Sequence, residues 1–251
     1  MSTPHELKRA ISSYSTALHE RGWVANHDGN VSARVGEGFL ITPTGVSKRL
    51  CPPDSIVRCD AQGRPQSRGR PPSEVALHVG AYRDRPEVKA VMHAHPPHAS
   101  AFALARKPLG PVAMPEIVVS LGAEIPLAPL VLPKDPAAVE VAASAVSLAD
   151  AVLLTGNGVL TVGADLEQAY LRMELVEHYA RIVAIAANIG GVVELEAPAR
   201  DRMLQLRAKA GLGPKDIKGA SAPSNDGGGF SRTIRPIVAE EVRRVLEGGK
   251  R

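Results

Sequence analysis

Residues 72–103 read PSEVALHVGAYRDRPEVKAVMHAHPPHASAFA. Ser73 precedes a helix-forming run and Pro86 follows it, so the spacing predicts a helix with Ser73 as N-cap. VKAVMHAH, ending at His95, reads as a short strand. On a strand, residues two apart face the same way. His93 and His95 therefore project side by side, while Met92 and Ala94 face the other side. Pro96 and Pro97 then open a second helix over PHASAFALAR. His98 lies at the start of that helix and need not face the same point.

Two converging imidazoles are a common beginning for a zinc or similar divalent site. The same pair equally suits polar residues at a strand end, bonded to backbone groups. Glu74, at the start of the first helix, is placed to act as a ligand or as a general base near a metal-bound substrate. It also fits the ordinary preference of Glu for a helix's first turn. Three small-residue turns, DGNVSAR, TPTGVSK and PPSE, offer backbone N–H groups with Asn, Ser or Thr side chains. Gathered around one point they would cradle a phosphate or carboxylate; taken singly, each is a plain turn.

Outside this stretch, helices and short strands alternate. Leu7, Ala10, Ile11, Tyr14 and Leu18 repeat at helical spacing over 4–21, and Gly22 stops that helix. NVSARVGEGFLITPTGVS reads as short strands and turns. AAVEVAASAVSLA is a helix. AVLLTGN and GVLTVG are strands around a Gly-Asn-Gly turn. A long helix over 164–190 ends at Gly190-Gly191, and APARDRMLQLRAKAG forms another. The class is α/β, with one domain over 1–212. Residues 213–251 hold a linker, GASAPSNDGGG, and a basic tail with a short helix.

The bulk composition excludes several classes. The chain has 251 residues, of which 44% are apolar and only 3% aromatic, so the core is built from Ala, Val, Leu and Ile. Cys51 and Cys59 form no zinc-knuckle pattern and suit a reducing, cytoplasmic setting. The first residues contain no uninterrupted apolar run of signal-peptide type. No run approaches the ~18 apolar residues of a membrane span. The net charge is +4, carried by scattered arginines rather than a basic stripe interleaved with aromatics, which argues against a nucleic-acid partner.

In order, GNVSAR, ITPTG, PSE, the paired histidines, and a strand–turn–strand leading to a long helix resemble the class II aldolase/adducin family. The resemblance runs from about residue 5 to about residue 190. It implies a three-layer α/β/α fold around a mainly antiparallel sheet, usually assembled as a homotetramer. It also implies a metal-dependent lyase in which zinc polarises a small hydroxy-carbonyl substrate, a sugar phosphate, and stabilises the enediolate formed when a carbon–carbon bond breaks. By position, His93 and His95 match metal ligands and Glu74 matches the acid/base carboxylate. Gly29, Asn30, Thr44, Gly45 and Ser73 match the phosphate-binding loops.

Three positions depart from that pattern. Asn157 stands where the family places a third metal histidine. The site then holds metal through His93, His95, Asn157 and Glu74, or prefers a harder ion such as Mn2+ or Mg2+, or has lost it. The aldolase branch carries a tyrosine before IPLAP that donates a proton to the aldehyde; here the region holds Pro115 and Glu116 and no tyrosine. Pro72 replaces a phosphate-binding serine. The alternatives are thus a family epimerase, dehydratase or decarboxylase, and a non-catalytic, adducin-like interaction module without metal.

Overall fold

Seven short apolar strands build one sheet, in the order β3-β2-β1-β4-β7-β6-β5. They are β1 (Asn30–Val35), β2 (Gly38–Ile41), β3 (Val57–Cys59), β4 (Ala90–Ala94), β5 (Leu127–Ala128), β6 (Ala151–Leu154) and β7 (Val159–Gly163). Every neighbouring pair is antiparallel except β5 with β6. These features come from a computed structural model that describes residues 3–132 and 134–214. Met1–Gly213 forms one compact unit. The Gly-rich linker and the basic tail lie outside the described residues.

Strand alternation sorts the two faces. Val31 and Ala33 of β1 and Ala90, Met92 and Ala94 of β4 join one apolar cluster. Against that face pack α1 (Pro4–Glu20), α3 (Pro97–Leu104), α4 (Pro115–Leu121) and α6 (Leu166–Ala186), which supply Ile11, Leu18, Ala99, Ile117 and Met173 to the same cluster. The other face carries α2 (Val75–Asp84) and α5 (Ala137–Leu148), packed on each other. There the rings of Phe39 and Tyr82 lie 5.2 Å apart. The expected three-layer α/β/α arrangement with a mainly antiparallel sheet is what forms. A final helix, α7 (Ala197–Lys209), packs on α4.

Local departures have local causes. The helix predicted to start at Ser73 begins later: Glu74 is its N-cap, at φ −99° and ψ 15°, and makes no side-chain cap bond. Its carboxylate goes instead to Asn30 and Asn157. Residues 115–121 form a helix, an element that the local sequence pattern does not predict. Pro115 sits in its first turn, and Ile117, Val118 and Leu121 are buried at helical spacing. The long helix stops at Ala186, before the glycine pair, and a Gly191 N–H bond to the Ala186 carbonyl at 2.8 Å closes the turn.

Candidate active site

A strand laid along a helix sets up the site. Asn30, Ser32 and Arg34 share one face of β1, and Glu74, His78 and Tyr82 follow at four-residue spacing along α2. They interlock. Asn30 Nδ2 donates to Glu74 Oε2 at 3.0 Å, and its Oδ1 lies 2.5 Å from His78 Nε2. Ser32 Oγ meets His78 Nδ1 at 2.6 Å and the Tyr82 hydroxyl at 2.7 Å. Arg34 donates to the Tyr82 carbonyl at 2.8 Å and lies over its ring.

The histidine pair sits beside Glu74. His93 pairs across β1–β4 with Asn30, so both side chains point to the α2 face. Its Nδ1 donates to the Val159 carbonyl at 3.0 Å. His95 follows the end of β4, and its Nδ1 meets Asp28 Oδ2 at 2.9 Å. Each ring thereby turns Nε2 inward, and the two Nε2 atoms stand 3.2 Å apart. Glu74 Oε2 is 3.3 Å from His93 Nε2. Asn157, in the β6–β7 turn, donates its amide to Glu74 Oε1 at 2.7 Å. Gly158 makes this approach possible: at φ +76°, a Cβ would stand 2.4 Å from the Ala94 carbonyl oxygen and 2.5 Å from His95 Cδ2.

The electrostatics follow from crowding. Burial works against an ionised Glu74, but His93 and the amides of Asn157 and Asn30 outweigh it and hold the carboxyl well below its usual range. Burial likewise opposes a charged His93, yet Glu74 outweighs it and raises the ring above its ordinary value. Burial and then the charge of His93 lower His95. With both Nδ1 atoms committed as donors, two inward lone pairs and a carboxylate face one point. Such a cluster demands a positive charge, either a proton on a ring or a cation.

The spacing also fits a metal ion. Two nitrogens held at ~2.0–2.1 Å by one tetrahedral ion stand about 3.3 Å apart, close to the 3.2 Å observed. No three His, Cys, Asp or Glu side chains among the described residues form a ready-made centre. The site thus offers two imidazoles, and oxygen donors from Glu74 and Asn157 would have to complete the shell.

The predicted anion loops are distributed around this point. Thr44 and Ser73 line a cleft of ≈ 580 Å³ together with Arg70 and Lys134. Ser73 and Lys134 also border a small cavity that reaches Glu74 and Asn157. Gly29 is at φ +68°, and a Cβ there would stand 3.1 Å from the His93 carbonyl oxygen. Gly45, at φ +71°, lies in open space. The Asn30 side chain, 1% exposed, is engaged by Glu74 and His78 rather than presented to the cleft. His98 turns away to Glu177, which also accepts from the backbone N–H groups of His98 and Ala99.

Three participants escaped the sequence reading. Asp28 fixes His95. Lys48, 2% exposed, donates from Nζ to the carbonyls of His27 and Val46 at 3.1 Å each and so ties two of the loops together. His78 supports Asn30. A signal for His78 existed in the Glu74–His78–Tyr82 spacing opposite the alternating Asn30–Ser32–Arg34. Asp28 and Lys48 lie in the turns DGNVSAR and TPTGVSK, but their roles come from contacts between distant loops, which the local sequence does not show.

A mainly antiparallel sheet between helix layers, with two imidazoles and a carboxylate at one strand end, defines an aldolase-like α/β protein. Residues 9–184 match the Class II Aldolase and Adducin N-terminal domain, and the chain belongs to that family. It is 30% identical over 211 residues to a 3-oxo-tetronate 4-phosphate decarboxylase of Cupriavidus necator, covering 82% of this chain and 97% of the relative. It is 34% identical over 178 residues to an L-fuculose phosphate aldolase of Escherichia coli, covering 71% and 82%. A solved L-fuculose 1-phosphate aldolase superposes with a TM-score of 0.75 at 27% identity, covering 82% of this chain and 96% of that one. Among the described residues, no helix is long and apolar enough to cross a membrane.

Proposed function

We propose that the chain is a divalent-metal-dependent lyase that breaks a carbon–carbon bond in a small phosphorylated hydroxy-carbonyl substrate. The paired Nε2 atoms of His93 and His95, 3.2 Å apart with Glu74 3.3 Å from His93, carry this reading, and the family relationship supports it. His93, His95, Glu74 and the Asn157 oxygen, after rotation of its amide, would hold the ion. Zn2+ suits the imidazoles, while Mn2+ or Mg2+ suits the added oxygen donors. When bound, the ion supplies an electron sink at the substrate's carbonyl. Glu74 is ionised and takes or returns the proton. Thr44 and Ser73, with Arg70 and Lys134 beside them, hold the anionic end, so that its binding energy orients the reacting end.

Within this class, the sequence favours decarboxylation over aldol cleavage. Aldol chemistry needs a group serving the aldehyde oxygen, and the family tyrosine is missing. Loss of CO2 from a 3-oxo acid produces no aldehyde: the carboxylate–carbon bond breaks, its electron pair enters the adjacent carbonyl, and a proton then returns to carbon. Glu74 suffices for that return. The relative with the longest matched stretch reported above is a decarboxylase.

The decisive experiment is metal analysis after reconstitution with Zn2+, Mn2+ or Mg2+, alongside Asn157→His, followed by assays with 3-oxo-tetronate 4-phosphate and L-fuculose 1-phosphate. We expect about one ion per chain in the wild type, tighter binding in the variant, and CO2 release from the first substrate. A wild type that stays metal-free while the variant gains metal overturns the lyase and leaves the non-catalytic module.

A further inference from the structure

We propose that His78 is a positioning residue which, through Asn30, fixes the direction and hydrogen-bonded state of the Glu74 carboxylate. This rests on the reading of Glu74 as the acid/base group. The contacts form an unbranched chain from Tyr82 through Ser32, His78 and Asn30 to Glu74, with links of 2.7, 2.6, 2.5 and 3.0 Å. Its inner members are sealed from water: Ser32 and His78 are 0% exposed, Asn30 1% and Tyr82 6%.

The place of every hydrogen follows from the end of the chain. An ionised carboxylate only accepts, so Asn30 must turn its NH2 to Glu74 and its oxygen to His78. That oxygen also only accepts, so His78 Nε2 must carry a hydrogen. A neutral ring then has its lone pair on Nδ1, to which the Ser32 hydroxyl donates. Ser32 in turn accepts from Tyr82. Burial and the charge of His93 keep His78 neutral, down to about 3. A flipped Asn30 would set its oxygen against the Glu74 carboxylate, so the chain admits one arrangement. An amide does not relay a proton as an imidazole does, so the chain holds Glu74 rather than draining it.

No family role assigned above involves His78, Ser32 or Tyr82. His78 touches neither the histidine pair nor the cleft, and acts at one remove. Without its Nε2–H, Asn30 is free to rotate, and Glu74 loses a donor and a fixed orientation. An error of about 1 Å in such a group costs up to ~100-fold in rate.

The two amide substitutions separate positioning from packing. Glutamine at 78 sets its NH2 near the place of Nε2 and keeps the bond to Asn30. Asparagine is shorter and reaches only toward Ser32. Full-length His78→Asn should lose about a hundredfold in kcat with KM changed less than about threefold, while His78→Gln stays within about fivefold of wild type. The assay uses whichever of 3-oxo-tetronate 4-phosphate and L-fuculose 1-phosphate the wild type turns over. Equal kcat in the two variants, with equal loss of thermal stability, overturns the proposal. A second readout needs no turnover: 15N NMR of the wild-type ring should show the Nε2–H tautomer between about pH 5 and 8, and an Nδ1–H tautomer overturns the chain of donors. An inactive wild type with the Nε2–H tautomer supports that chain and removes the lyase reading alone.

Discussion

Asp150 and Glu74 are both carboxylates with several polar partners, and those partners set them apart. Asp150, 0% exposed, is met by Arg85 at 3.0 Å, Arg172 at 2.8 Å and Arg207 at 2.5 Å. The same guanidiniums also donate to the carbonyls of Val146, Val162, Val119 and Ser120. Every charge there is spent inside the protein, and the cluster fastens α7 and the end of α2 to the start of β6. Glu74 is met by neutral amides on one side and by inward-facing imidazole nitrogen on the other. The first arrangement leaves nothing for a ligand. The second leaves a point that demands a positive charge, a proton on a ring or a cation. What sets Glu74 apart, beyond its partial exposure of 15% against 0% for Asp150, is a partner set that remains incomplete.

The contrast is sharpest in Glu74→Gln. It should lower kcat by about 10²- to 10⁴-fold while the urea midpoint stays near wild type; unchanged turnover would remove Glu74 from the proton-transfer role. Asp150→Ala should do the reverse. Three guanidiniums left facing one another should cost about 3–5 kcal/mol in urea unfolding, and a loss under about 1 kcal/mol would erase the distinction between the two carboxylates.

The smallest expected effect is a pH dependence from His78. Its folded value lies near 3, against an ordinary 6.5. Below 6.5 the unfolded chain therefore binds a proton that the folded chain refuses. The stabilisation is present above 6.5 and is lost as pH falls through the window toward 3, by up to about 1.4 kcal/mol per pH unit. Urea midpoints of wild type and His78→Gln between about pH 7 and 5 should converge as pH falls; parallel curves would mean that His78 does not titrate with unfolding.

Much of the scaffold was legible in the sequence. The spacing of Leu7, Ile11, Tyr14 and Leu18 announced α1, and the two runs around Gly156-Asn157-Gly158 announced the β6–β7 hairpin. The alternation in VMHAH put His93 and His95 on one side and Met92 and Ala94 in the core, as found. The helix at 115–121 was missed because its four apolar positions lie in a seven-residue segment, too short for periodicity to separate from a loop. Asn30 was expected in the anion cradle, yet its side chain is spent on Glu74 and His78. A loop motif names the residues near an anion site without saying which way a buried amide turns.

The sequence by itself determined which residues alternate and recur, and hence the strands, the helices and the pairing of His93 with His95. These follow from periods of two and 3.6 along the chain. Only the tertiary structure decided that Asn157 would meet Glu74, that Asp28 and Lys48 would brace the loops, and that His78 would set the Asn30 amide. Those contacts join segments far apart in sequence, and their geometry is fixed by sheet register and helix packing rather than by local spacing.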